Sequence, residues 1–316
     1  MQRSPARRRL RDERSAIAGR PATVSLPEGY GLPDPAVAQG RFDRAARSVD
    51  QADFVGAEAA ARLIERLALF SLEPAVVVDV GAGTGRVSGQ LAALYPDAAV
   101  VAIDISRPML ERAASIGAVV RLVADAHRLP CASGSVDLVF SNLLLPWVAP
   151  DLVLAECARV LKPGGLAIMT TLGPDTLVEL RRAWASVDAF IHVHGFIDMH
   201  DIGDLASRAG LVEPVIDVDR LTLDYADVDG LVGDLRAAGV ANSAVGRCPG
   251  LVSRKRWAQF DAALRADAPD GRIAMSVELV FLQAFAPDPT GPRVAPTNGE
   301  TRIGVDALVD QARKRR

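Results

Sequence analysis

The sequence is poor in the residues that announce several common protein classes. Its three cysteines, Cys131, Cys157 and Cys248, stand far apart in 316 residues with no C-x-x-C pair. That pattern argues against a disulfide framework or a thiolate metal site and reads as reduced, mostly buried thiols. A formal net charge of −3 gives no global electrostatic reason to expect nucleic acid or a membrane surface. No apolar run approaches the roughly 18 residues of a spanning helix, and the N-terminus lacks the apolar core of a secretory signal. The expectation is a soluble cytoplasmic protein without a nucleic-acid or membrane partner. No Ser-His-Asp order suggests a nucleophile with its base.

What the chain does have is apolar material, 49% of its residues, enough for a sizeable core. The first 20 residues carry seven Arg against Asp12 and Glu13, readable as a basic tail, a transit peptide or an over-extended start. From Pro287 the periodicity is lost, three further prolines follow, and the chain ends in Arg313-Lys314-Arg315-Arg316. Residues 1–40 and 287–316 are therefore expected to be disordered tails around a domain at 41–286.

Within that domain, helical and strand patterns alternate. A helical pattern at 53–70 precedes a strand at 76–80. "AVVAID", "VVRLVAD", "VDLVFSN" and "LAIMTTL" read as strands two to five. Helices separate most of them, among them "MLERAASIG", closed by Gly117, and "DLVLAECARVL", stopping at "KPGG". Strands joined by single helices predict an α/β, doubly wound parallel sheet. Further helices are expected at 175–188 and 199–209, with Asp198 and Gly210 at the ends of the latter. "VEPVIDVDRLTLDY" holds one or two strands, and "IAMSVELVFLQAFA" a last one. Two helices are inserted between them, at about 226–271.

The first strand runs into "DVGAGTG", with glycines at 81, 83 and 85. The spacing is G-x-G-x-G, one residue short of the turn that wraps a dinucleotide pyrophosphate. Acids end three strands: Asp79, Asp104 and Asp125. At the carboxyl ends of an open α/β sheet, Asp104 is placed to accept ribose hydroxyls and Asp125 an adenine amino group. An acid beside the glycine turn suits a cationic ligand, not a pyrophosphate. S-adenosylmethionine, with a sulfonium and an ammonium and no phosphate, fits.

"VVDVGAGTG", "AIDIS" with "ML", "ADAHRLP" and "LKPGG", in this order, resemble the class I S-adenosylmethionine-dependent methyltransferases over about 41–285. The resemblance implies a seven-stranded sheet with S-adenosylmethionine as co-substrate. It assigns Gly81, Gly83 and Gly85 to the methionyl part, Asp104 with Ile105 to the ribose, and Asp125 with Ala126 to the adenine. Asp79 faces the ammonium or fixes the glycine loop, and Asn142 belongs to the same set. The fourth strand ends in "SNLLLPW", without the acid or Asn, paired prolines and aromatic of enzymes that methylate bases, so a DNA acceptor is not expected.

A narrower resemblance rests on "FDRAARSVD", "SNLLLPWV", "TTLGPDTLVELRRAW", "FIDMHDIGDLASRAGL", "DLRAAGVANS" and "GRIAMSVELVFLQAFA". Together these are similar to the malonyl-acyl carrier protein O-methyltransferases of biotin synthesis. The family masks the free carboxylate of a malonyl thioester as a methyl ester, so malonyl-acyl carrier protein becomes the expected partner. A carboxylate is already ionised at neutral pH and requires alignment, not a base. The sequence departs from the family at Val49 and Val277, where aromatic residues are usual. Other readings stay open: an arginine hydroxylase like a mitochondrial complex I assembly factor, a small-molecule methyltransferase, and a cofactor-binding protein without activity.

Arg181, Arg182 and Trp147 are the candidates for orienting the acceptor, with no catalytic base named. His192, His194 and His200 with Asp198 read as pocket-lining or capping residues, with no metal expected, and Trp184 reads as core or pocket wall. Arg254, Lys255 and Arg256, beside Trp257 and with Arg236 and Arg247 upstream, form a basic patch to set against an acidic carrier.

Overall fold

A computed structural model describes residues 32–113, 119–266, 268 and 271–288. The expected tails lie almost wholly outside these residues, as does Gly117. The sheet has seven strands in the order β3-β2-β1-β4-β5-β7-β6. β1 (Val76–Val80), β2 (Ala99–Asp104), β3 (Val119–Val123), β4 (Val136–Asn142) and β5 (Leu161–Leu172) are mutually parallel. The parallel expectation holds for these five strands, while β7 (Ile273–Phe285) lies antiparallel between β5 and β6 (Val212–Tyr225). "VEPVIDVDRLTLDY" is one continuous strand.

Period-two alternation sends the two faces of β1 into different cores. Val78 and Val80 pack toward α6 (Pro150–Val160) and α8 (Met199–Arg208), while Val77 packs toward α3 (Phe54–Leu67) and α4 (Arg86–Leu94). α3 follows a helical repeat, burying Ala59, Ala60, Leu63 and Leu67. Its N-cap is Asp53, whose carboxylate accepts from Gly56 N at 2.8 Å. α5 (Arg107–Arg112) is likewise capped by Ser106.

Three findings depart from the expected elements. Folded structure begins upstream of position 41, because α1 (Pro35–Ala45) starts at a proline and is capped by Asp34, which accepts from Ala36 N and Val37 N. The short α2 (Val49–Ala52) follows it. Second, "LKPGG" belongs to β5. Leu161 pairs with Val136 across a register shift, so the strand bulges where a loop was expected. Lys162 Nζ holds both Asp137 carboxylate oxygens at 2.8 Å, and Asp137 in turn accepts from Ala75 N and Val76 N. Third, the helix expected at 175–188 is shorter, α7 (Val178–Ala185).

The insertion forms α9 (Val228–Ala237) and α10 (Arg254–Ala266). With α7 and the ends of β6 and β7 they enclose a third core around Trp184, Leu231, Phe260 and Met275. Trp184 stacks on Phe260 with centroids 4.2 Å apart, which places it in the core.

The β5 bulge depends on Gly165. A Cβ there would lie 2.9 Å from the Lys162 carbonyl oxygen and 3.1 Å from that of Asp137, both backbone atoms that cannot rotate away. Gly165→Ala should therefore destabilise the fold by about 1–3 kcal/mol. The expected readout is a lower urea midpoint with an unchanged m-value.

Candidate active site

One cavity of about 580 Å³ runs along the carboxyl ends of the strands. Its floor at one end is the glycine turn. Gly81, Gly83 and Gly85 have φ of 76°, 56° and 75°, left-handed conformations that glycine adopts without steric cost. Gly81 is also tightly enclosed, since a Cβ there would meet the Leu144 Cβ at 3.0 Å. Gly83 has open space on that side, as expected where a ligand must come close.

Asp104 ties the turn to the end of β2. Its Oδ2 accepts from Gly83 N at 2.9 Å and its Oδ1 from Ser106 N at 2.8 Å. Burial pushes its pKa up, and these amide donors oppose the rise. Asp79 is only 1% exposed and accepts from Ser88 Oγ at 2.6 Å. Burial lifts its pKa to about 7, the Ser88 hydroxyl working against the rise and the nearby Asp104 charge adding to it. A cation placed between two such carboxylates would relieve both.

Asp125 Oδ1 accepts from the backbone N and the Nδ1 of His127, at 2.9 and 2.7 Å. That turn sets the next residue, Ala126, into the cavity wall, and Ile105 lines the same end. Asn142 lines the cavity but is engaged elsewhere: its Nδ2 donates to Gly56 O at 2.9 Å and its Oδ1 accepts from Thr170 Oγ1 at 2.7 Å. Its first task is to hold α3 over the end of β4.

The far end of the cavity is apolar and aromatic. Trp147 makes edge contacts with Phe42 of α1 and with His194, each at 5.0 Å between centroids. Leu177, Leu180, Phe196, Tyr225 and Leu235 complete the walls, and Val49 and Val277 both line the same space. His194 is buried, its pKa drawn down to about 4 chiefly by burial, with Arg181 adding to the fall. It is neutral at physiological pH, and its Nε2 has no partner among the described residues. Arg181 lies behind this wall, its guanidinium 5.8 Å from the Phe196 ring; one nitrogen donates to the Pro174 carbonyl, while the buried Nη1 has no partner among the described residues. Burial draws its pKa down.

In sequence, the chain is 43% identical over 259 residues to the malonyl-[acyl-carrier protein] O-methyltransferase of Laribacter hongkongensis, covering 78% of this chain and 87% of that one. The chain belongs to this family. The enzyme of the same name from Gallionella capsiferriformans is 41% identical, with 78% and 89% covered. A family described as "Methyltransferase domain" matches residues 78–169 of this methyltransferase. A solved structure from Bacillus halodurans, assigned as a methyltransferase, superposes with a TM-score of 0.51 at 16% identity, covering 73% of this chain and 99% of that one. The fold is that of the class I methyltransferases.

In this methyltransferase the residues expected to hold the cofactor line one end of the cavity, except Gly85, which caps α4 behind it, and not every other candidate joins them. Neither arginine lines the cavity: Arg182 is exposed, while Arg181 is half-buried behind the wall, its guanidinium 5.8 Å from the ring of Phe196, which does line it. Arg256 does not stand free with Arg254 and Lys255, since its Nη2 pairs with Asp188 Oδ2 at 2.6 Å. The histidines part company. His192 stacks on Trp184 at 3.7 Å and bonds Asp188, while His200 bonds the α8 cap Asp198. Tyr225 and Phe42 also line the cavity; Phe42 opens the "FDRAARSVD" stretch, but the sequence singles out neither as a site residue. Cys157 is fully buried and its thiol is pushed up to about 12 by burial, consistent with an inert core position.

The raised Asp79 pKa fixes a sign. The folded ligand-free protein holds this proton more tightly than the unfolded chain, so the contribution is full below about pH 4 and is lost as pH rises through about 7. The loss amounts to as much as about 4 kcal/mol. Asp79→Asn, which keeps an acceptor for Ser88, should gain stability over wild type at about pH 8 and little at about pH 4. Urea midpoints of the two proteins at both pH values measure this; parallel shifts would contradict it.

Proposed function

We propose that the protein transfers a methyl group from S-adenosylmethionine to the free carboxylate of a malonyl group carried on an acyl carrier protein. Such an ester would open pimeloyl assembly for biotin, in the cytoplasm. Family membership supplies the prior. The observation that carries the reading is the buried Nη1 of Arg181, without a partner among the described residues, next to neutral His194 and Phe196, two residues that line the end of the cavity away from Asp79 and Asp104.

S-adenosylmethionine supplies an electrophilic methyl on a sulfonium. In this reading Gly81, Gly83 and Gly85 let the backbone approach its methionyl part, and Asp79 takes the ammonium. Asp104 retains lone pairs for the ribose hydroxyls beyond the two it gives to backbone amides. Asp125, Ala126 and Ile105 frame the adenine, and Asn142 keeps α3 in place. Arg181 Nη1 donates to one malonyl oxygen and leaves the other to attack in line. It aligns the nucleophile; complete neutralisation would slow the attack. Trp147 and Phe42 exclude water from that end. The unit responsible runs from α1 through β7, with α9 and α10 as its inserted cover.

Intact-mass analysis of malonyl-acyl carrier protein after incubation with enzyme and S-adenosylmethionine should show one added methyl, and none on the acetylated carrier. Arg181→Gln should lower acceptor kcat/KM about ten- to a hundredfold, the worth of one charge-assisted hydrogen bond. Affinity for S-adenosylmethionine should hold.

A pH profile separates the two ends of the cavity. With the acceptor ionised and His194 titrating near 4, the single-turnover rate at saturating substrates should be flat from about pH 6 to 8. Affinity for S-adenosylmethionine should instead weaken as pH falls below about 7, because binding must displace the Asp79 proton. Asp79→Asn should flatten that second profile. A rate that titrates steeply near neutrality would point to a general base.

A further inference from the structure

α1 is pressed against the end of α9. A Cβ on Gly239 would lie 2.9 Å from the Ala45 Cβ and 3.1 Å from Phe42, so only glycine permits this approach. Ser48 Oγ donates to Ala237 O at 2.7 Å, and Asp34 N to Ser243 O at 2.7 Å. Along this seam four guanidinium groups gather from three parts of the chain: Arg41 and Arg44 on α1, Arg236 in the last turn of α9, and Arg247 in the loop beyond. They are close enough that the other three charges, after burial, lower the Arg41 pKa.

The gathering is nearly uncompensated. Arg247 pairs loosely with Asp34 at 3.8 Å; Arg41, Arg44 and Arg236 have no carboxylate partner among the described residues. Arg41 Nη2 donates to the Asn242 carbonyl at 2.7 Å, but its Nε is buried without a partner. Like charges held together with an orphaned donor are costly unless an anion joins them. Planar forks suit a phosphate in particular. The position is informative too. Phe42, next to Arg41, and Asn242, bonded to it, both line the acceptor end of the cavity. The cluster therefore stands beside the wall that Phe42 and Asn242 form.

We propose that Arg41, Arg44, Arg236 and Arg247 form a phosphate site beside this wall, which takes the phosphate of a phosphopantetheine arm. The arm then runs inward past Phe42 and Asn242 and delivers its thioester to the Trp147 end. The same chemistry is present on a carrier protein and on coenzyme A. This deepens the acceptor reading above and rests on it for the acyl group, though not for the phosphate.

The test uses the full-length protein in buffer free of phosphate and sulfate, with phosphopantetheine and pantetheine as calorimetric probes. Wild type should bind the phosphorylated probe about tenfold or more tightly, the worth of one charge-assisted bond. That preference should collapse in Arg41→Gln, and also in the double variant Arg44→Gln, Arg236→Gln, whose exposed side chains make misfolding no explanation. Equal binding of both probes by wild type, or a preference that survives both variants, overturns the proposal. In the activity arm, the double variant should raise KM for malonyl-carrier protein and malonyl-coenzyme A alike, with kcat held. A rise for the carrier alone overturns the phosphate site in favour of a protein docking surface. If wild type prefers the phosphorylated probe yet methylates neither thioester, the phosphate site stands and the malonyl reading falls.

Discussion

The Asp104 carboxylate is the joint on which the cofactor end depends. By accepting from Gly83 N and Ser106 N it holds the turn after β1 against the start of α5. Three left-handed glycines at alternate positions have little conformational preference of their own. Without a fixed acceptor the turn would sample many shapes, and α4, which begins at Gly85, would have no defined origin. Further contacts brace the same turn from outside: Thr84 Oγ1 donates to Asp50 of α2 at 2.5 Å, and Gly81 N to the Ile103 carbonyl at 2.8 Å.

Around that joint the cavity divides by origin. Its cofactor end is made by the carboxyl ends of β1, β2 and β4 and the turn after β3, rigid elements buried on both faces. Its far end is made by a cover, α9 packed on β6 with α1 against the end of α9. The cover includes Phe42 and Leu235, while the floor beneath it includes Tyr225 and Val277. Tyr225 is pushed up to about 12 by burial and bonds Asp234, so the phenol at this end comes from β6. The positions where the family resemblance led one to look, Val49 and Val277, present aliphatic surface there.

This division explains what could be read in the sequence. The sheet strands carry local signals, β-branched runs ending in an acid or a glycine, and Asp79, the glycine turn, Asp104 and Asp125 lie together at those ends, so the strands and the residues gathered at their ends were legible. The insertion announced itself by interrupting the strand rhythm. The antiparallel placement of β7 was not legible, because pairing partners are chosen by packing across the whole sheet and leave no mark on a strand's own pattern. Nor was the split between Arg181 and Arg182, which depends on which face of α7 meets the third core. Asn142, expected among the ligand contacts, has both ends of its amide engaged by protein groups that lie 86 and 28 positions away. α1 was missed as an element because its apolar face is short and finds its partner nearly 200 residues later, as the Arg41 contact with Asn242 shows.

The strand order has a consequence for how the chain is made. Among the described residues β6 pairs with β7 and with no other strand, so after synthesis it must wait, unpaired, until the last strand emerges and enters between it and β5. The cofactor end needs nothing beyond β5. A ribosome that has just released residue 172 has therefore delivered every part of the sheet that frames the glycine turn. The acceptor end still lacks its floor and the far half of its cover. The two halves of one active site are thus separated in time by more than a third of the chain, with α1, built first, holding out Phe42 and Ala45 to partners not yet made.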